Sequence, residues 1–514
     1  MGKLYVNIDD CSTLIPFLNY VNRKGLAKKE ELYPFVDGYR NTQVTDILFN
    51  ILGQISDVDS NCWTTYKDKY EQKEENGFPV DYTEWYQGIY TVNQLWGIDP
   101  FKVWIERCQE NGIRPWISFR MNDCHEPDKD TSLLRSDFFY EARKNGWMLG
   151  EKYGYFRWCL DFKTPQVRRR LLAYIAEQLG RYDVYGIELD FMREILCFRY
   201  LEEDMKECTC IMNDFMRQIK RLVNEAEQKH GHSIKIAVRL IRSLEQCRYF
   251  GFDPVTWAKE QLMDLVIPTP RWGSCDSGIP VLAWKEALPG IEIVPGIETM
   301  VNFSNMAQTS AAVVRGLAAG FLSQEADGIY LFNYFDQIIS ENPEDNAIPG
   351  HSVLSSEEAP KATRDREVQQ TCAETEEIFR HPVRFAVISQ SDEGFVEPPQ
   401  LWKPLPMELS KEEKHLELVT GQIPKEKRIS LIIGISSSTP ENIKVSVNGV
   451  RCKDFAPVDL MEIPGIGRQP AGYVDPDINC FICHLADGLS EQVQKIFLCA
   501  EETAVIHWVE LVVV

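Results

Sequence analysis

Thr164–Asp190 reads TPQVRRRLLAYIAEQLGRYDVYGIELD and holds one complete helix-to-strand unit. Pro165 stands just inside a helix start, where its missing N–H is no loss. Leu171, Leu172 and Ile175 follow at helical spacing, and the chain then enters the apolar run Tyr185–Asp190. Period-two alternation sends Ile187 and Leu189 to one face of that strand and Glu188 and Asp190 to the other. A helix feeding a buried strand is the repeating unit of a parallel sheet.

The same grammar recurs outward from this unit. Asp99-Pro100 opens a helix through Phe101, Trp104, Ile105 and Cys108 that stops at Asn111-Gly112, and Asp253-Pro254 opens another, followed by Val255, Leu262 and Met263. Candidate strands are Leu4–Asp10, Asp46–Gln54, Arg114–Asn122, Tyr185–Asp190, Ile234–Leu240, Asp264–Thr269, Ile291–Glu298 and Gly328–Asn333. Eight such units predict an α/β fold of the (β/α)8 TIM-barrel kind over residues 1–340.

Beyond residue 340 the texture changes. Residues 341–380 are expected to be a linker rich in Glu, Pro, Ser and Asn, closed by a helix at Thr371–Phe379. Residues 381–514 carry short strands at Arg384–Ser389, Ile429–Ile435, Ile443–Val447, Asn479–His484, Lys495–Leu498 and Val505–Val514, with a hairpin signal at Asn448-Gly449. This density predicts a C-terminal antiparallel β-sandwich-like domain. Its expected role is packing on the barrel or contact with a second copy, giving a homo-oligomer.

Bulk properties narrow the function. A chain of 514 residues exceeds what one core usually serves, so more than one domain is expected. The net charge of -22 opposes binding to nucleic acid. No run of about 18 apolar residues offers a membrane span. The 15 cysteines lack a framework spacing and the N-terminus has no signal-peptide pattern, so a cytoplasmic protein with reduced thiols is expected. Cys480-Phe481-Ile482-Cys483-His484 has the spacing of a haem attachment but lies in an apolar strand pattern. There is no Walker loop, nucleophile elbow or dinucleotide fingerprint, and no cofactor is expected.

In a barrel the chemistry sits at the carboxyl ends of the strands. Those ends supply Asp9 and Asp10, Arg120 and Asn122, Glu188, Asp190 and Arg193, Arg239, Arg271 and Trp272, Glu298, and Asn333 with Tyr334. Strands 4 and 7 of a barrel face each other, so Asp190 and Glu298 are the catalytic candidates, with Glu188 tuning Asp190. Two carboxyls about 5–5.5 Å apart suit retaining glycoside cleavage, and about 6.5–9.5 Å suits inversion. Pro295-Gly296 suggests a bent backbone ahead of Glu298. Bland readings stand beside these: Glu188 as the ion-pair partner of Arg120 or Arg239, Glu298 as a solvated loop residue. Arg120, Arg239 and Arg271 either recognise a carboxylate on the substrate or neutralise Glu188, Asp9 and Asp10. Trp272, Trp63 and Tyr66 are either stacking walls or core.

The passage Arg181–Arg193 resembles the fourth-strand region of glycosyl-hydrolase-like barrel proteins related to the family-ten and clan-A hydrolases, and Glu325–Phe335 is similar to their last strand. That resemblance implies an acid/base at Asp190 and a nucleophile at Glu298. The clan pattern has Asn-Glu where this chain has Leu189-Asp190. The segment is also similar to the chitinase signature, but Met192 stands where that signature has its catalytic Glu. The expected function is therefore a retaining glycosidase acting on a carbohydrate, with Asp190 protonating the leaving oxygen. The alternatives are a metal-assisted barrel hydrolase or lyase, built from Asp9, Asp10, Asp123 and His125, and a non-catalytic sugar-binding barrel.

Overall fold

The computed structural model describes residues 2–9, 14–71, 86–124, 134–271, 274–302, 307–332, 334, 364–391, 394–436, 439–459, 478–485 and 489–514. Its larger sheet is built from β1 (Lys3–Ile8), β2 (Asp46–Leu52), β3 (Arg114–Arg120), β4 (Gly186–Asp190), β5 (Lys235–Ile241), β6 (Leu265–Thr269), β7 (Glu292–Ile293), β8 (Gly296–Ile297) and β11 (Gly328–Phe332). The order is β7-β6-β5-β4-β3-β2-β1-β11-β8, and every pairing is parallel. β9 (Met300–Asn302) and β10 (Ala307–Gln308) form a small antiparallel ribbon after β8.

The expected strand Ile291–Glu298 is two short strands. β7 pairs with β6, β8 pairs with β11, and Val294-Pro295 lies between them. Pro295 brings no N–H to a ladder, so the segment changes partner there. Around the break, the Val294 N–H donates to the Val266 carbonyl at 3.0 Å, and the Tyr330 N–H donates to the Pro295 carbonyl at 3.1 Å.

Period-two alternation gives the sheet two separate apolar faces. Leu4, Val6, Ile47, Phe49, Ile117, Phe119, Ile187 and Leu189 join the large core shared with the helices. Tyr5, Leu48, Trp116, Ala237, Ile267, Val294, Tyr330 and Phe332 form a second cluster on the opposite face. Gly186 belongs to that second face: a Cβ there would lie 2.2 Å from the Trp116 indole, so only glycine lets the ring cross β4.

The helices follow the expected punctuation. Asp99 caps Pro100–Glu110 by accepting from the Lys102 N–H, and Asp253 caps Pro254–Lys259 by accepting from the Thr256 N–H. Thr164 precedes Pro165–Arg181 without a side-chain cap. Ala311–Leu322 is apolar except for Arg315 and buried nearly throughout, because it packs on β11 and on the C-terminal strand β12 (Val383–Ala386).

The second region begins with helices at Arg364–Thr371 and Thr375–Ile378, where a linker and one helix over Thr371–Phe379 were expected. The remaining strands are β13 (Met407–Leu409), β14 (Lys414–Val419), β15 (Ile429–Ser436), β16 (Ile443–Val447), β17 (Val450–Arg451), β18 (Ala456–Pro457), β19 (Asn479–His484), β20 (Val493–Ala500) and β21 (Ala504–Val513). They make two antiparallel sheets, β12-β21-β15-β19-β18 with β13 on β21, and β14-β20-β16-β17. Asn448 and Gly449 both have positive φ in the β16–β17 turn, as an Asn-Gly hairpin requires. The Cys480–His484 segment is β19, paired along its length with β15. Among the described residues no helix is long and apolar enough to cross a membrane.

Candidate functional site

Sheet register places Asp190 between Arg120 on β3 and Arg239 on β5. The two arginines take different partners. Arg239 Nη1 lies 3.2 Å from both oxygens of Asp190, while its Nη2 donates to Glu298 Oε1 at 2.7 Å. One guanidinium thus bridges the carboxyl ends of β4 and β8. All three side chains are excluded from solvent. The Arg239 guanidinium also lies 3.9 Å from the Phe332 ring centroid, a cation–π contact that a dry site strengthens. Burial works against the charge of Arg239, yet Asp190 foremost, with Glu298 and Glu188, raises its pKa above the ordinary arginine value.

The chain turns directly after Asp190. Its Oδ1 accepts the backbone N–H groups of Met192 at 2.8 Å and Arg193 at 2.9 Å. These donors and Arg239 fix the orientation of the carboxylate.

Glu188 lies two residues deeper on the same face and meets neutral groups in place of the expected arginine. Asn7 Nδ2 donates to its Oε2 at 2.8 Å and the Tyr330 hydroxyl donates to its Oε1 at 2.7 Å, and Ser118 supplies a further hydrogen bond. Burial first, and the neighbouring Asp190 second, push its pKa up to about 7. A carboxyl in a dry setting next to another acid holds its proton more firmly.

Glu298 is fully buried, so the solvated-loop reading is overturned. Its backbone carbonyl is held by the Tyr334 hydroxyl at 2.7 Å and by Cys275 Sγ at 3.2 Å. Tyr334 in turn shares a 2.6 Å hydrogen bond with the Thr309 hydroxyl. Tyr334, expected as a substrate-binding residue, is buried and holds the backbone at Glu298, while Cys275 and Thr309 come from irregular segments whose sequence carries no periodic signal.

The other expected residues divide into separate groups. Arg120 pairs with Asp9 at 2.5 Å and lies 3.6 Å from Asp123, which is also 3.8 Å from Arg193. Arg271 grips the buried Glu194 with two hydrogen bonds of 2.9 and 3.0 Å and lies over the Tyr155 ring. Asn122 binds the backbone, donating to the Leu160 and Leu196 carbonyls and accepting the Leu160 N–H. Trp63 and Tyr66 are core: both are buried, and the Trp63 indole donates to the Gln54 carbonyl. Asp10, Trp272, Asn333 and His125 lie outside the described residues. A cavity of about 30 Å³ next to Arg120, Asn122 and Asp123 has room for a water or two and is far below the size of a sugar site. Among the described residues no three His, Cys, Asp or Glu side chains cluster as metal ligands.

No family model matches the chain, and no curated protein matches it. Among solved structures, it is similar to α-L-fucosidase isoenzyme 2 from Paenibacillus thiaminolyticus at 12% identity and a TM-score of 0.41, over 72% of this chain and 48% of that one. A cycloisomaltooligosaccharide glucanotransferase from a Paenibacillus species aligns at 8% identity and a TM-score of 0.35, over 99% of this chain and 57% of that one. A glycoside hydrolase family 18 N-acetylglucosaminidase from Paenibacillus barengoltzii aligns at 10% identity and a TM-score of 0.34, over 64% of this chain and 94% of that one. The chain thus spans about half the length of the first of these proteins.

Proposed function

We propose that this chain is a glycoside hydrolase that works with Asp190 and Glu298 at the mouth of a closed (β/α)8 barrel. The observation that carries the reading is the meeting of these two carboxylates, from strand ends far apart in the sheet order, on the single Arg239 guanidinium. Closure is supported by the shared segment of β7 and β8, which pairs with both β6 and β11. It is supported again by Glu188, which reaches from β4 to Asn7 on β1 and Tyr330 on β11. The same reading takes the two C-terminal sheets as layers of a sandwich, since the buried residues of β14 and β20 alternate with exposed or partly exposed ones.

The geometry favours exchanging the expected roles. Every hydrogen-bond partner named above for the Asp190 side chain is a donor, which suits the carboxylate that attacks the anomeric carbon or stabilises its positive charge. Glu298 then protonates the leaving oxygen and later takes a proton from the incoming water. A sugar seated over the pair loosens the hold of Arg239 on Glu298 and frees that carboxyl for proton transfer. Glu188 acts through Asp190 as a positioning residue.

A panel of aryl glycosides tests this with wild type, Asp190→Asn and Glu298→Gln. Each substitution is expected to lower kcat/KM at least ~100-fold, the lower end of what a positioned acid or base supplies. Activity that survives both substitutions sinks the proposal. The complete burial of Asp190, Arg239 and Glu298 favours a second reading, a sugar-binding barrel in which the triad is structural. That reading expects sugar binding by wild type without turnover.

A further inference from the structure

At the amino-terminal end of the parallel sheet, opposite Asp190 and Glu298, lies a cavity of about 420 Å³. This is within the range of small-molecule sites. Its aromatic lining comes from three residues of the second apolar face. Trp116 meets Tyr5 and Tyr185 edge-on, with ring centroids 6.2 and 5.3 Å away. Arg114 lies 5.0 Å from the Tyr185 ring centroid and pairs with the buried Asp46, so Tyr185 is held in place while remaining partly open to solvent.

The charges around this cavity are almost all matched. Lys235 pairs with Asp264 at 2.7 Å, and Glu292 is paired with Lys3 at 2.6 Å. Lys220, from the helix Met205–His230, lines the same cavity and has no ion-pair partner among the described residues. A pocket with an aromatic wall and one surplus cation selects a flat or pyranose ring that bears one negative charge.

We propose that this cavity is a second ligand site, separate from the carboxylate pair, for a small ring compound carrying a single carboxylate. The carboxylate meets Lys220 and the ring lies against Tyr185 and Trp116. The ligand is either an aromatic acid or a uronic acid, and the two share this chemistry.

Calorimetric titration of the full chain with benzoate and with glucuronate tests the site, using benzamide and methyl glucoside as the neutral counterparts. At least one carboxylate is expected to bind about tenfold tighter than its neutral counterpart, the scale of one charge-assisted contact. The tighter of benzoate and glucuronate identifies the source. Lys220→Met, at a half-exposed helix position, removes the preference, and Lys220→Arg keeps it. Equal binding of charged and neutral ligands, or a preference that survives Lys220→Met, overturns the proposal. Glycosidase activity is not needed for either outcome, so its absence leaves this test intact.

Discussion

The two ends of the parallel sheet use the same side-chain types in opposite ways. At the amino-terminal end Lys3 pairs one-to-one with Glu292 and Lys235 with Asp264, these pairs stay partly exposed, and Lys220 is left over. At the carboxyl end one arginine serves two acids, and all three groups are out of water. A one-to-one exposed pair tolerates loss of a partner, because solvent takes over its charge. A buried two-to-one cluster does not. The comparison predicts how unequal the responses to substitution will be.

The largest effect is expected at Arg239. Arg239→Met leaves Asp190 and Glu298 buried without their shared cation, and should cost about 3–5 kcal/mol of unfolding free energy in urea. A loss below about 1 kcal/mol would place this cluster with the exposed pairs.

Glu188 sharpens the contrast through pH. Its folded pKa of about 7 lies above the ordinary carboxylate value, so the folded chain binds the proton more tightly than the unfolded one. This contribution is fully present below the unfolded pKa and is lost as pH rises from about 4.5 to about 7, a decline of a few kcal/mol. Glu188→Gln should flatten stability across that window. An unchanged slope would mean that another group carries the proton.

The smallest effect belongs to the amino-terminal end. Lys3→Met should change stability by no more than about 1 kcal/mol, the range of exposed ion pairs, and the change should shrink in high salt.

Much of this was legible in the sequence because it rests on periodicity. Parity alone turned Glu188 and Asp190 to the face opposite Ile187 and Leu189, and the Asp-Pro pairs marked two helix starts that Asp99 and Asp253 do cap. What parity cannot give is the partner on a distant strand. Asn7 and Tyr330 lie on the same face of the sheet as Glu188 by that rule, yet nothing in a one-dimensional pattern says that they meet Glu188 in place of an arginine. The split of Ile291–Glu298 was half visible: Pro295 announced a bend, but two-residue strands are too short to have a period. β14 was overlooked because Lys414, His415 and Glu417 hide the alternation of Leu416 and Leu418, the two positions that are buried.

The central claim is that Asp190 is the carboxylate that meets the sugar. Incubation with an activated 2-deoxy-2-fluoro glycoside of the sugar that is turned over, followed by peptide mass spectrometry, tests it most directly. The account predicts a single glycosyl adduct on the peptide containing Asp190, absent in Asp190→Asn. An adduct on Glu298 or on another carboxylate, with Asp190 unlabelled, would contradict it.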